Sequence, residues 1–116
     1  MGDMGSLNKA SRVNPDSAET YAIVGLDCAE FGQYQKAIKY YNKAIRLKPD
    51  YAGAYVCRGN AYYGLNQHQR AIEDYSEAIR LNPDDAEAYS NLWLARDELG
   101  QYQRAIEYYD NPPRPG

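Results

Sequence analysis

Small and apolar residues recur every three or four positions along much of this chain, which is the spacing of one face of an α-helix. The pattern is clearest in residues 34–47, where one stripe consists of Ala37, Ile38, Tyr41, Ala44, Ile45 and Leu47. No segment shows the strict alternation of apolar and polar residues that marks a half-buried strand. The pattern therefore predicts an all-α protein.

The helical pattern repeats with a period of 34 residues. The residues that mark the stripe return one and two periods later, and so does a short motif with proline at its centre. The recurring residues are Asn14-Pro15-Asp16, Lys48-Pro49-Asp50 and Asn82-Pro83-Asp84; Tyr21, Tyr55 and Tyr89; Ala37, Ala71 and Ala105; Ile38, Ile72 and Ile106; and Tyr41, Tyr75 and Tyr109. Such self-similarity is typical of repeat proteins, whose stacked units bury faces that a single unit leaves exposed.

Residues with strong preferences for helix ends divide each period into two helices. Asn82 is a good helix N-cap, and Pro83 suits the first turn because the N–H it lacks would have no partner there. The helix that begins at this point is expected to end at Gly100, since glycine tolerates the left-handed conformation that closes many helices. Gly32 and Asn66 hold the same place in the other two periods. Each period is thus predicted to form two antiparallel helices.

With these residues the sequence resembles the tetratricopeptide-repeat family. The family's pattern has an aromatic, a large apolar and a small residue in the first helix, then two small residues around an aromatic in the second helix, and a final proline. The chain matches it with Tyr21, Val24, Gly25, Ala37, Tyr41, Ala44 and Pro49; with Tyr55, Gly59, Ala71, Tyr75, Ala78 and Pro83; and with Tyr89, Leu92, Ala105 and Tyr109. The resemblance implies an α-solenoid, a right-handed superhelix of three stacked antiparallel helix hairpins.

The resemblance also implies where the units begin and end. The first, second and third units are assigned to residues 18–51, 52–85 and 86–111, and residues 112–116 are predicted to be a disordered, proline-rich tail. The third unit departs from the family pattern. Trp93 stands where the other units have glycine, Arg96 replaces an interior aromatic residue, and Pro112 truncates the second helix.

Both ends of the array look incomplete. Residues 8–16 align with residues 42–50 at the same period, so residues 1–17 are interpreted as a cloning remnant followed by the end of a preceding repeat helix. Two explanations stay open: a longer solenoid has been cropped, or the terminal half-helices complement each other between neighbouring chains. In the second case Ile106, Tyr108 and Tyr109 would pack against residues 8–14 of the next chain, and such head-to-tail contacts build filaments when they do not close.

The composition of the chain argues against two classes of partner, nucleic acids and membranes. The chain has 116 residues and a formal net charge of −3. This acidic balance argues against nucleic acid, because phosphate binding draws on clustered Lys and Arg. No apolar run approaches the length of a membrane span, so no membrane partner is expected. Cys28 and Cys57 fit no zinc or redox spacing, which suits a reducing compartment and predicts a cytoplasmic protein.

Residues that could perform catalysis are scarce. His68 is the only histidine, it occupies the place of Tyr34 and Tyr102 in the other units, and no motif pairs it with a nucleophile. Adjacent acidic residues on a helix point in different directions and do not form a metal clamp. No glycine-rich phosphate loop occurs. The sequence therefore predicts a protein that is not an enzyme and that has no catalytic residues, no metal site and no cofactor.

In the tetratricopeptide-repeat family, the first helices of successive units line a concave groove that binds an extended peptide or a partner's helix. Carried over by position, this groove is implied to consist of Glu19, Ile23, Leu26, Glu30, Val56, Cys57, Asn60, Tyr63, Glu87, Asn91, Leu94 and Asp97. Its apolar floor and acidic edges favour a protein or peptide partner with an apolar anchor and Lys or Arg flanks. The main hypothesis is a protein–protein interaction module or scaffold. The alternative is self-assembly into a homo-oligomer through the incomplete terminal helices.

One subgroup of the family holds the C-terminal carboxylate of chaperones with two lysines, two asparagines and an arginine. The residues at these positions are Ala22, Leu26, Cys57, Glu87 and Asn91, so the sequence disfavours binding of a chaperone tail.

The second helix of the first unit contrasts in charge with the acidic groove. Its outer face carries Lys36, Lys39, Lys43, Arg46 and Lys48. Charges on an exposed helix often do no more than keep it solvated, so this basic face has two interpretations, solvation or a partner.

Overall fold

The computed structural model describes residues 16–110, with Tyr108 and Tyr109 described by their backbone alone. Five helices follow one another: α1 (Ala18–Glu30), α2 (Tyr34–Leu47), α3 (Ala52–Gly64), α4 (His68–Leu81) and α5 (Ala86–Asp110). The described residues contain no strand. Each helix packs against the next one along the chain, and α3 also contacts both α1 and α5. The structure confirms the predicted all-α solenoid.

The helix start expected at Asn82 and Pro83 lies a few residues later, at Ala86. Asn82 does not cap α5, because its backbone N–H donates to Ala78 O at 2.8 Å and so still belongs to the end of α4. The chain then needs the following three residues to reverse its direction, and Pro83 lies in this turn. The side chain that caps α5 is Asp85, which accepts from the Ala88 N–H at 3.2 Å. Ser17 caps α1 in the same way, through the Thr20 N–H at 3.1 Å.

Two short left-handed turns separate the helices within the first two units. Gly32 has φ 74° between α1 and α2, and Asn66 has φ 61° between α3 and α4. Glycine and asparagine are the residues that adopt this conformation at least cost, so the predicted turns are confirmed at both positions.

The third unit has no such turn. α5 runs without interruption through Gly100 and has 25 residues, so the helix end expected at Gly100 is wrong. The residues that were expected to form a second, antiparallel helix extend α5 instead. The N-terminal residues 1–15, the tail 111–116 and the side chains of Tyr108 and Tyr109 lie outside the described residues.

The first two units share a close helix contact that the third unit lacks. A Cβ atom added at Gly25 would lie 2.6 Å from Tyr41 Cε1, and one at Gly59 would lie 2.7 Å from Tyr75 Cε1. Each hairpin therefore closes only because a tyrosine ring rests on a residue without a side chain. In the third unit Trp93 takes the place of this glycine, and its indole would meet the tyrosine that closes such a hairpin. The third unit therefore lacks the ring-on-glycine contact of the first two, and its helix continues through Gly100.

A partly buried ion pair joins α3 and α4. Arg58 on α3 donates to both carboxylate oxygens of Asp74 on α4, from Nε at 2.8 Å and from Nη2 at 2.7 Å. Its remaining nitrogen, Nη1, donates to Asn42 Oδ1 on α2 at 2.9 Å. Burial raises the pKa of the Asp74 carboxyl, and the hydrogen bonds from Arg58 offset part of this rise. The pair satisfies a polar group that would otherwise be costly to bury.

Candidate functional site

The exposed apolar side chains of the first helices form the centre of the candidate site. α1, α3 and α5 lie side by side, since α3 contacts both of the others. Ile23 and Leu26 on α1 are 55% and 46% exposed, and Leu94 on α5 is 57% exposed. Large aliphatic side chains with this exposure are available to a partner, and they belong to the set that the sequence assigned to the groove.

A small cleft opens between α3 and α5. It has a volume of about 240 Å³ and is lined by Asn60, Tyr63, Tyr75, Asn91 and Leu94. The Asn60 amide oxygen accepts two hydrogen bonds, from the Tyr75 hydroxyl at 2.5 Å and from Asn91 Nδ2 at 3.1 Å. Among residues 16–110, no hydrogen bond is made by Asn60 Nδ2 or by Asn91 Oδ1. The cleft therefore offers one amide donor and one amide acceptor beside an apolar side chain.

The cleft brings together four of the predicted groove residues and adds one that the sequence did not indicate. Asn60, Tyr63, Asn91 and Leu94 were predicted. Tyr75 was not, because it belongs to a second helix and by pattern fills the interior. Its ring is buried against Gly59, but its hydroxyl reaches Asn60 at the cleft. The signal in the sequence would have been Asn60 itself, since a polar residue opposite a buried tyrosine supplies the partner that its hydroxyl needs.

The first unit lacks this arrangement. Leu26 occupies the place of Asn60 at the period of 34 residues, and Tyr41 occupies the place of Tyr75. The Tyr41 hydroxyl is buried and has no hydrogen-bond partner among the described residues. Burial is also the main reason that the pKa of Tyr41 lies well above its usual range. The predicted groove residue at this position is thus apolar in the first unit and polar in the second.

The structure corrects the assignment of Val56. Its side chain is only 6% exposed and belongs to the core cluster that contains Tyr75, Ala88 and Leu92. Val56 was assigned to the groove by its position in the family pattern, but here it faces the interior between α3 and α5. Val56 therefore supports the packing of the groove wall and offers no surface to a partner.

Cys57 is half-buried, beside the core cluster that contains Tyr41 and Ala61. Burial raises the pKa of the Cys57 thiol, and the carboxylate of Glu87 raises it further. A raised pKa keeps the sulfur in its less nucleophilic thiol form near neutral pH. Cys57 therefore contributes to packing beside this cluster and is only partly accessible.

The predicted acidic residues are all exposed. Glu19 and Glu30 lie on α1, and Glu87 and Asp97 lie on α5. Glu19 forms an ion pair with Lys48 at 3.7 Å, and both side chains remain largely in solvent. Burial, and next to it the charge of Glu98, raises the pKa of the Tyr63 hydroxyl at the cleft. The candidate site thus combines exposed aliphatic residues with a carboxylate-rich border.

His68 has a structural environment. It is buried at the start of α4, with its ring centroid 5.2 Å from that of Tyr63 and 5.5 Å from that of Tyr102. Within residues 16–110, no group of three His, Cys, Asp or Glu side chains is arranged to hold a metal ion. None of the five helices is both long enough and apolar enough to cross a bilayer.

Comparisons with known proteins fit this architecture. A family model described as TPR repeat matches residues 25–66 and again residues 59–100. The crystal structure of MamA protein is similar at 33% sequence identity and a TM-score of 0.72, over 91% of this chain and 58% of that one. The Sgt2 TPR domain from Aspergillus fumigatus is similar at 30% identity and a TM-score of 0.70, over 80% of this chain and 62% of that one. The chain thus spans less than two thirds of the length of either structure.

A third similar structure contains a bound peptide. It is the first TPR of Spaghetti (RPAP3) bound to the HSP90 peptide SRMEEVD, with 27% identity and a TM-score of 0.70, over 82% of this chain and 77% of that one. A search of curated proteins gave no significant match.

Proposed function

Because the chain belongs to the tetratricopeptide-repeat family, we propose that it is a non-catalytic protein-interaction module that binds a peptide or a partner's helix in its concave groove. The observation that carries this proposal is the row of exposed aliphatic residues along α1 and α5, with the polar cleft between α3 and α5 beside it. An apolar anchor in such a pocket, held by a few placed hydrogen bonds, is a common way to bind a peptide.

The cleft suits the backbone of a bound segment. Asn60 Nδ2 can donate to a peptide carbonyl, and Asn91 Oδ1 can accept from a peptide N–H, because their other amide atoms already pair with each other. Leu94 lies on the rim of the same cleft and can contact an apolar anchor. The hydrogen bond from Tyr75 holds Asn60 in place before a ligand arrives, which lowers the entropic cost of binding.

The charge of the groove selects the flanks of the ligand. Carboxylates border the aliphatic residues on α1 and α5, so Lys or Arg on either side of the anchor are expected to increase affinity. The similar structure with the HSP90 peptide holds a segment that contains two glutamates and an aspartate. The present chain has Glu87 at a lysine position of the carboxylate clamp, and it is expected to repel such a peptide.

The test compares two peptide libraries that share one central leucine or phenylalanine and differ only in basic or acidic flanks. We expect enrichment of basic-flanked peptides, and a loss of affinity of about tenfold or more for Leu94→Asp. Ile106→Asp is the matched control, because Ile106 lies on the same helix with 59% exposure against 57% for Leu94, outside the cleft. Equal binding by both variants, or enrichment of acidic flanks, would contradict the proposed groove.

Self-assembly is a second candidate function. It is favoured by the exposed apolar residues of α5 outside the groove, since Trp93 is 67% exposed and Ile106 and Tyr102 are exposed as well. The contact predicted between Tyr108, Tyr109 and residues 8–14 of a neighbour lies outside the described residues. Light scattering after a sizing column tests it: deletion of residues 1–14 should lower the particle mass, and an unaltered mass counts against this assembly.

We also propose that the protein is cytoplasmic. Cys28 and Cys57 are both unbridged, which suits a reducing compartment. Fractionation of cells that express the tagged chain would test this location.

A further inference from the structure

Helix α2 carries four cations in a single line. Lys36, Lys39, Lys43 and Arg46 are spaced three, four and three residues apart, so they share one face of the helix and extend over about 15 Å. We call this set the basic stripe. α2 contains no acidic residue at all. The chain has a net charge of −3, so this concentration of positive charge is local.

The basic stripe faces solvent and has no charge partner in the described part of the chain. None of its four members forms an ion pair within residues 16–110, and all four are exposed. Lys43 lies over the rings of Tyr21 and Tyr40, at 5.4 and 5.5 Å from their centroids. A contact with an aromatic ring fixes the ammonium group and leaves its charge uncompensated.

The basic stripe also borders a depression in the protein surface. A depression of about 940 Å³ is lined by all four cations together with Tyr34, Tyr40, Asn42 and Leu65. It lies on the second helix of the first unit, apart from the aliphatic residues of the groove on α1 and α5. The depression is thus a second concave surface, with the opposite charge.

The second unit shows that the fold does not require this charge. At the period of 34 residues, the four positions of the basic stripe correspond on α4 to Arg70, Glu73, Glu77 and Arg80. There two arginines flank two glutamates, and Arg80 pairs with Glu77. Mixed charges solvate an exposed helix equally well, and like charges three or four residues apart repel one another. Solvation alone therefore leaves the basic stripe unexplained, whereas an acidic partner accounts for it.

We propose that the basic stripe of α2 docks an acidic helical segment of a partner protein, with carboxylates spaced three, four and three residues apart. A helix with this spacing places its charges in a line of the same length and rise as the stripe. Tyr34 and Tyr40, which line the depression beside the stripe, provide apolar contact next to the ion pairs. A protein segment is favoured over a nucleic acid because the negative charge of the whole chain repels an extended polyanion beyond these four cations.

The experiment measures binding of a capped helical peptide whose glutamates follow this spacing, by fluorescence anisotropy at low salt. We expect Lys36→Gln with Lys39→Gln to weaken binding about tenfold or more, and a version of the peptide with glutamine for glutamate not to bind. The matched control is Arg70→Gln with Arg80→Gln, which removes the same two charges from the corresponding face of α4. It should leave binding unchanged, and so should Leu94→Asp in the groove.

Four outcomes would overturn the proposal. The first is equal binding by the α2 and α4 variants, and the second is loss of binding with Leu94→Asp, which would place the peptide in the groove. The third is tighter binding of a single-stranded RNA oligonucleotide or of phosphatidylserine vesicles than of the peptide, with the same dependence on Lys36 and Lys39. The fourth is a particle mass that rises with concentration for the unmodified chain alone and not for the α2 variant, because the occupant would then be a second copy.

Discussion

Single residues determine how closely the helices of each unit approach. Tyr75 is almost fully buried, and its ring lies where a side chain at Gly59 would be. Tyr41 and Gly25 repeat this contact in the first unit. The sequence predicted both tyrosines as interior residues and both glycines as small residues of the helix contact. It did not indicate that the clearance is smaller than one methyl group, because that distance depends on the angle between two helices.

This clearance leads to a prediction for two glycines of α3. Gly59→Ala should lower the free energy of unfolding by about 1–3 kcal/mol, because the new methyl group overlaps the ring of Tyr75. Gly53→Ala should raise it by about 0.5 kcal/mol, because a Cβ at Gly53 lies 3.5 Å from Tyr51 Cε1, an ordinary contact, and alanine stabilises a helix. Urea unfolding followed by circular dichroism measures both. A Gly59→Ala variant as stable as Gly53→Ala would show that the hairpin is packed more loosely.

At the scale of the element, α5 is where local signals and tertiary contacts disagree. Gly100 follows a helical pattern and precedes another, in the same way as Gly32 does in the first unit. Only Gly32 adopts a positive φ. The local residues are nearly the same, since Gln101, Tyr102 and Gln103 repeat Gln33, Tyr34 and Gln35. A further difference between the two units is Trp93, which stands where the first unit has Gly25.

Alanine substitution at the two equivalent glycines should have opposite effects. Gly32→Ala should lower the free energy of unfolding by about 1 kcal/mol, since φ 74° is strained for a residue with a side chain. Gly100→Ala should raise it by about 0.5–1 kcal/mol, since alanine favours a continuous helix and the nearest atom, Arg104 Nη2, is 4.0 Å from the added Cβ. Thermal unfolding followed by circular dichroism measures both changes in stability. Destabilisation by Gly100→Ala would mean that the chain turns at this glycine in solution.

The residue that caps α5 also differs from the one that the sequence predicted. The proline motif was predicted to start the next helix, and it lies in the turn before it. Proline and asparagine are compatible with both places, so their local preferences do not separate the two. The hydrogen bond from Asn82 to Ala78 decides in favour of the turn.

At the scale of the whole molecule, stability is carried by contacts between neighbouring helices, as in other linear repeat arrays. Arg58 extends this coupling across the boundary of two units, because it joins Asn42 of the first unit to Asp74 of the second. An arginine at this position departs from the large apolar residue of the other units, Val24 and Leu92. Only the structure identified the carboxylate that compensates this charge, Asp74.

The uninterrupted α5 also bears on the association of the molecule. If its exposed apolar face is an interface, Ile106→Asp should lower the particle mass at high concentration and leave peptide binding in the groove unchanged, because Ile106 lies outside the cleft. Leu94→Asp should weaken peptide binding and leave the particle mass unchanged. Light scattering over a hundredfold range of concentration, run beside the peptide assay, separates the two functions. A constant mass near 13.2 kDa for all three proteins would contradict self-assembly and leave the groove as the main surface.

The sequence by itself determined the helical class, the period and the two left-handed turns, because these follow from local periodicity and from the conformational limits of glycine and asparagine. The groove is predictable in outline since each repeat presents the same positions to the same side. Val56 was misassigned because burial at a boundary between units depends on Leu92 and Ala88 of the next unit. Only the tertiary structure decided that α5 does not turn, that Tyr75 reaches the cleft, and that the basic stripe borders a second concave surface. Each of these depends on the distance between residues far apart in the chain, which no local pattern encodes.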